Sequence, residues 1–259
     1  MTSNAPTRAF DKSAGVGPGP DLRWLVSWPV SIRGGEIEPS IYAADFRRLG
    51  AQLESLLDAG ARIFHFDVGD GHFVDEITMG PIVLESISGS VHERGGMLDC
   101  HMMVSQPASH LEQIRSAGGD SITFHVETVE DPVRTIAAAR ELGLNVGVAL
   151  NPGTPLDGAI LAGQSADLVL CMGIQPGLSG QELMPATFER IAKLRAALPQ
   201  NVLVQVDGGV HGENVAALHE SGANLLVSGS GVFWQEDPAI AYAELAAATQ
   251  AEQRIGGRT

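Results

Sequence analysis

The chain has 259 residues, enough to bury a full core as one domain. Its 16 Lys and Arg face 31 Asp and Glu, a formal net charge of −15, which argues against nucleic acid or an anionic membrane as partner. A phosphorylated metabolite is not excluded, because local backbone amides decide phosphate binding. No apolar stretch reaches the length of a membrane span, and the first residues lack a basic region followed by an apolar run. A soluble, cytoplasmic protein is therefore expected. Cys100 and Cys171 each sit in an apolar, strand-like run and read as buried thiols rather than a disulfide.

Residues 1–35 form an irregular N-terminal extension, with Gly-Val-Gly-Pro-Gly-Pro at 15–20. Its Trp24 and Trp28 are expected to dock on the domain or on another subunit, since two indoles are costly to leave in water. From Glu36 a rhythm sets in. β-like runs fall at about 36–41, 62–68, 97–103, 121–126, 144–150, 167–172, 202–207 and 224–228. Helical patterns lie between them, at 45–59, 80–88, 107–117, 132–142, a short one from Pro155, then 185–198, 212–221 and 238–250. Such alternation predicts parallel strands joined by crossover helices, and the length suits a (β/α)8 TIM barrel over 36–252, with a tail at 253–259. A doubly wound sheet is the other candidate, but no Gly-x-Gly-x-x-Gly follows the first strand.

The central stretch is Ile63-Phe-His-Phe-Asp-Val68. Its alternation sends His65 and Asp67 to one strand face and Phe64, Phe66 and Val68 to the other. In a barrel, functional side chains collect at the C-terminal ends of the strands. Those positions hold Ser40, His65 with Asp67, His101, Met172 before Pro176-Gly-Leu-Ser-Gly-Gln181, Asp207-Gly-Gly209 and Ser228-Gly-Ser-Gly231. Two His and two Asp converging from three strands make a plausible N/O site for a first-row divalent ion. The glycine loops after strands 6, 7 and 8 suit phosphate, held by backbone N–H groups.

These motifs resemble the ribulose-phosphate 3-epimerase family. The resemblance rests on Ile37-Glu-Pro-Ser-Ile41, His65-Phe-Asp67 with Asp70-Gly-His-Phe-Val74, Asp99-Cys-His-Met-Met103, Asn151-Pro-Gly-Thr-Pro155, Pro176-Gly-Leu-Ser-Gly-Gln181 and Val206-Asp-Gly-Gly209, in the same order from about Ile37 to Phe233. It implies a metal-dependent isomerase of the pentose phosphate pathway that inverts C3 of a ketose phosphate, interconverting D-ribulose 5-phosphate and D-xylulose 5-phosphate. It implies one divalent ion per chain (zinc, iron(II) or manganese), ligands His65, Asp67, His101 and Asp207, and a homo-oligomer. Removing a proton α to a ketone gives an enediolate, which a Lewis acid stabilises. Inversion then needs one proton-transfer group on each face, roles that fall to Asp67 and Asp207. Ser40 is expected to hold a substrate hydroxyl, with Met103 and Met172 as an apolar roof. Gly177, Ser179, Gly180, Gly208, Gly209, Gly229 and Ser230 are expected around the phosphate.

The chain departs from the family pattern at five positions. Gly69 stands where Met is usual, Asp75 for Pro, Tyr42 for Leu, and Leu178-Ser179 for Phe-Gly. A missing thioether at Gly69 is expected to leave space over the reacting carbons, partly refilled by Tyr42, while Asp75 adds charge to a lid. An epimerase of the six-carbon D-allulose 6-phosphate is therefore the alternative. A non-catalytic sugar-phosphate-binding barrel is a second rival, but neither Asp is lost. Decarboxylase or synthase barrels would be expected to place a Lys at a strand end, and the only lysines here are Lys12 and Lys193, in the N-terminal extension and in a helical pattern.

Overall fold

The computed structural model describes residues 35–250, so the expectation that Trp24 and Trp28 dock lies outside the described residues. Eight strands alternate with helices in the expected order. They are β1 (Glu36–Pro39), β2 (Ile63–Gly69), β3 (Met97–Met103), β4 (Ser121–His125), β5 (Asn145–Leu150), β6 (Leu168–Met172), β7 (Leu203–Asp207) and β8 (Leu225–Ser228). All are parallel, in the order β1-β8-β7-β6-β5-β4-β3-β2. The ring closes between β1 and β2 through a single parallel bridge, Ser40 to His65. This is a (β/α)8 barrel, and its closure sets Ser40 beside the His65-x-Asp67 pair.

The helices are α1 (Leu49–Asp58), α2 (Pro81–Glu93), α3 (Leu111–Ser116), α4 (Pro132–Glu141), α5 (Leu156–Gly163), α6 (Ala186–Ala197), α7 (Val215–Glu220), α8 (Ser230–Phe233) and α9 (Pro238–Gln250). Several differ from expectation: α1, α3 and α7 begin three or four residues later than the sequence pattern placed them, at Leu49, Leu111 and Val215. α2 continues past Ser88 to Glu93 because Leu84, Ile87 and Val91 keep one apolar stripe buried, while Gly89 sits on the exposed side. The single turn α8, directly after β8, is too short to show periodicity in the sequence.

Strand parity explains the packing. Outward residues such as Phe64, Phe66, Leu98, Cys100, Ile122, Phe124, Val204 and Val206 join the helices in the main core. Inward residues stack in layers along the barrel axis. Ile63, Met97, Leu168 and Leu225 belong to a separate apolar cluster filling the interior. In the next layer come Glu38, His65, Asp99, Ser121 and Gln205, from β1, β2, β3, β4 and β7 and all buried, with His65 and Asp99 two residues beyond Ile63 and Met97. Two further again, at the C-terminal mouth, come Ser40, Asp67, His101 and Asp207. A seven-residue strand such as β2, buried at every position, thus changes from apolar to chemical along its inner face. Cys100 and Cys171 are both free and buried.

Candidate active site

Register brings the strand-end residues together. Asp67 pairs with His101 across β2 and β3, and Met172 with Asp207 across β6 and β7. Asp67 Oδ1 lies 3.3 Å from His65 Nε2 and 3.1 Å from His101 Nδ1. Asp207 Oδ2 lies 3.9 Å from the same atom of His65 and 3.7 Å from that of His101. One ligand atom from each of the four residues falls within 4.8 Å of the other three. Two imidazole nitrogens and two carboxylate oxygens around one point fit a first-row divalent cation. His65 Nε2, fully buried and without a hydrogen-bond partner, supports that fit.

His65 is fixed from behind. Its Nδ1 lies 3.1 Å from Asp99 Oδ2 and 3.6 Å from Glu38 Oε2, which aims Nε2 at the mouth. Asp99 in turn accepts from Ser121 Oγ at 2.5 Å and from Gln205 Nε2 at 2.8 Å, and the same amide donates to Glu38 at 2.7 Å. Glu38, Asp99, Ser121 and Gln205 were not singled out by sequence reasoning as part of the site. The available signal was parity: each is a polar residue at an inward position whose outward neighbours within the strand are apolar.

The electrostatics separate the two carboxylates. Burial pulls Asp67 upward, but the His65 charge and hydrogen bonds from His101 and His65 outweigh it and hold the group well below the usual carboxylate range. Burial and the neighbouring Asp67 charge push Asp207 up to about 7. Burial, with the neighbouring Asp99 carboxylate, pushes Glu38 up to about 8. His65, by contrast, is raised despite burial because Asp67, Asp99 and Glu38 surround it.

Above the four ligand candidates opens a cleft. It is lined by Ser40, Met103 and Met172, by Gly177, Ser179 and Gly180, and by Gly208, Gly209, Gly229 and Ser230, with Asp67 and Asp207 at its floor. Every residue expected at the substrate or phosphate therefore borders one cavity. Ser40 Oγ donates to Asp67 Oδ2 at 2.7 Å. Gly208 and Gly209 have positive φ, 100° and 73°, and a Cβ on Gly209 would lie 2.5 Å from the Leu183 amide nitrogen, so no other residue fits there without moving the β6 loop.

The space expected over Gly69 does not exist. A Cβ there would meet Glu76 O at 2.8 Å, Val74 Cγ2 at 3.0 Å and Thr78 Cγ2 at 3.1 Å. The segment after β2 folds back over Gly69 as a lid. Gly69 N donates to Thr78 Oγ1 at 2.6 Å, Thr78 Oγ1 donates to Asp67 O at 2.7 Å, and Asp70 bridges Ile77. Tyr42 does border the cleft, but Val74 and Thr78 fill the position above Gly69. Asp75 is exposed; the lid carboxylate facing the cleft loop is Glu76, whose Oε2 lies where a Cβ on Gly177 would be.

Comparison with known proteins agrees with this arrangement. Residues 36–233 match the model of the ribulose-phosphate 3 epimerase family. The ribulose-phosphate 3-epimerase of Candida glabrata is 37% identical over 215 residues, covering 78% of this chain and 87% of its own. That of Escherichia coli is 36% identical, covering 78% and 90%. By shape the chain also resembles 3-hexulose-6-phosphate synthase from Salmonella typhimurium, with a TM-score of 0.64 at 15% identity, covering 83% of this chain and 99% of that one, a likeness of fold alone. No helix among the described residues is long and apolar enough to cross a membrane. Motif order, barrel register and sequence identity over most of the chain converge, and the chain belongs to the ribulose-phosphate 3-epimerase family and is a carbohydrate epimerase.

Proposed function

We propose that the enzyme interconverts D-ribulose 5-phosphate and D-xylulose 5-phosphate, with Asp67 and Asp207 moving the proton at C3. The observation that carries this reading is geometric: a carboxylate from β2, Asp67, and one from β7, Asp207, converge with two imidazoles on one point. Two carboxylates brought in from well-separated strands can serve one as base and the other as acid, the division that an inversion requires. His65, Asp67, His101 and Asp207 would hold one divalent ion, zinc, iron(II) or manganese, consistent with their mixed N/O donors. Bound there, the ion would supply Lewis-acid stabilisation of the charge that develops on the substrate oxygens.

The remaining roles belong to the chain itself. Ser40, now bonded to Asp67, can turn its hydroxyl to a substrate hydroxyl. Met103 and Met172, both buried, roof the reacting carbons and keep water out. Backbone N–H groups around Gly177, Ser179, Gly180, Gly208, Gly209, Gly229 and Ser230 would take the phosphate. The family resemblance further implies a cytoplasmic homo-oligomer. The test is a comparison of kcat/KM on ribulose 5-phosphate and allulose 6-phosphate, with metal content measured on the same preparation. A clear preference for the six-carbon sugar would overturn the substrate assignment.

A further inference from the structure

Behind His101 stands a chain of polar groups to which the reaction above gives no part. His101 Nε2 lies 2.9 Å from Nε2 of His125, an inward residue at the end of β4, and the two rings stack with centroids 5.0 Å apart. On its far side, His125 Nδ1 faces Glu127 Oε2 at 3.5 Å. The other Glu127 oxygen accepts the Asn151 N–H at 2.7 Å and the Thr154 hydroxyl. Phe73 packs on His125 at 4.6 Å, and both imidazoles are fully buried. Neighbouring groups, not bulk water, therefore set which nitrogens carry protons.

A neutral imidazole has one N–H and one lone pair, and two nitrogens in contact must be one donor and one acceptor. Glu127, already accepting two hydrogen bonds, favours an N–H at His125 Nδ1. His125 Nε2 is then the acceptor, so His101 carries its proton on Nε2. The Nδ1 lone pair of His101 is left facing Asp67 Oδ1 at 3.1 Å and Asp207 Oδ2 at 3.7 Å, an arrangement stable only with a cation among them. The opposite arrangement puts the proton on His101 Nδ1 toward Asp67. It leaves a lone pair on His125 Nδ1 against the Glu127 carboxylate 3.5 Å away, two acceptors facing each other. With a cation at the mouth, only the first arrangement avoids facing lone pairs at both ends, and it makes His101 a ligand.

We propose that His125 and Glu127 are positioning residues that hold His101 in its Nε2–H tautomer, so that Nδ1 is presented as a ligand to a divalent cation. This rests on the metal site proposed above, and the experiment separates the two. Zinc dissociation constants are measured by chelator competition for the wild type, Glu127→Gln, Glu127→Asp and His125→Phe. Long-range ¹H–¹⁵N spectra of the zinc-loaded wild type then report the imidazole tautomers. Glu127→Gln keeps size but turns an amide donor toward His125 Nδ1, and His125→Phe removes the acceptor while keeping the stack on Phe73. Both are expected to weaken zinc binding about 10–100-fold, with partial recovery in Glu127→Asp. The spectra are expected to show His101 protonated at Nε2 and His125 at Nδ1. A His125 protonated at Nε2 in the loaded wild type would overturn the proposal, whatever the variants do. So would folded variants that bind zinc as tightly as the wild type. A wild type that binds no ion removes the metal reading, and this proposal with it.

Discussion

Gly69 is where a substitution separates two accounts of the cleft most sharply. If its missing side chain left an open space, Gly69→Met would refill a roof and raise activity on the five-carbon sugar. The structure predicts the reverse, because the position is already occupied by the lid. The first atom of any side chain would stand 2.8 Å from the Glu76 carbonyl oxygen and 3.0–3.1 Å from Val74 and Thr78 methyl groups. A backbone oxygen cannot swing aside as a flexible side chain can, so the lid must shift. Overpacking of this kind costs about 1–3 kcal/mol. The shift also strains two bonds that tie the lid to the catalytic strand, Gly69 N–H to Thr78 Oγ1 and Thr78 Oγ1–H to Asp67 O. Each is worth about 0.5–1.5 kcal/mol. The lid is local and its tip is exposed, so the strain should appear as lid opening more than as global unfolding.

The expected outcome for Gly69→Ala, and more strongly for Gly69→Met, follows from those magnitudes. Limited proteolysis should cut within 71–77, where the wild type resists. Activity kcat/KM on ribulose 5-phosphate should fall about tenfold or more, as an open lid lets water into a site that depends on its exclusion. Melting temperature should drop by only a few degrees, at about 2–4 °C per kcal/mol for a domain of this size. A Gly69→Met protein with wild-type protease resistance and undiminished kcat/KM would refute the reasoning.

Further outcomes are expected elsewhere. If Asp67 and Asp207 are the proposed proton-transfer groups and metal ligands, Asp67→Asn and Asp207→Asn should each lower kcat by at least about 10²–10⁴-fold; a variant that keeps most of its activity with metal bound would remove the two-carboxylate scheme. Prolonged chelation should abolish activity, with zinc, manganese or iron(II) restoring it, and full activity in protein free of metal by elemental analysis would contradict this. Burial pulls Asp70 upward, but its hydrogen bonds together outweigh it. The carboxyl is held well below the usual carboxylate range by N–H groups of Ser105, Phe73 and His72 and by the Ser105 hydroxyl. Its contribution to lid stability is therefore present above the ordinary carboxylate pKa of about 3.9 and is lost as pH falls toward the folded value. Lid proteolysis by an acid-stable protease should rise as pH drops below about 4 in the wild type. In Asp70→Asn it should already be high at neutral pH and change little.

The barrel and its four ligand candidates were legible because both depend on short-range pattern. Alternation within β2 gave the inner face of His65 and Asp67, and the position of a residue at a strand's C-terminal end gave His101 and Asp207 their place. The layer beneath was partly legible in the same way. Glu38, Asp99, Gln205 and His125 all share inward parity with recognised residues, yet parity says only that a polar group points inward, not what it meets. The partners come from other strands: Gln205 of β7 bridges Asp99 of β3 and Glu38 of β1, a contact set by barrel closure rather than by any spacing in the chain. The lid was misjudged for a related reason. Glycine in place of a larger residue suggests space, but whether the space is empty depends on where residues 74–78 fold, and that was visible only once the Asp70–Ile77 bridge was in place.

These two kinds of support divide chemistry from selectivity within one cleft. The floor is carried by strands: His101 and Asp207 have parallel register partners on both sides, Asp67 pairs with His101 and accepts from Ser40, and a buried polar layer lies below, so a small displacement of any one would disturb several hydrogen bonds at once. The rim is carried by connections: Tyr42 follows β1, Glu76 sits in the lid after β2, and Ser179 lies in the loop after β6. The family-pattern departures at Tyr42, Asp75, Leu178 and Ser179 fall in these connections and Gly69 ends β2 beneath the lid, while the floor keeps every donor. Proton transfer should therefore tolerate exchange of the rim residues, whereas the length and charge of the sugar phosphate admitted should respond to them. Glu76 is the sharpest instance, because its carboxylate stands against Gly177 on the loop that borders the cleft, where an anionic substrate must pass.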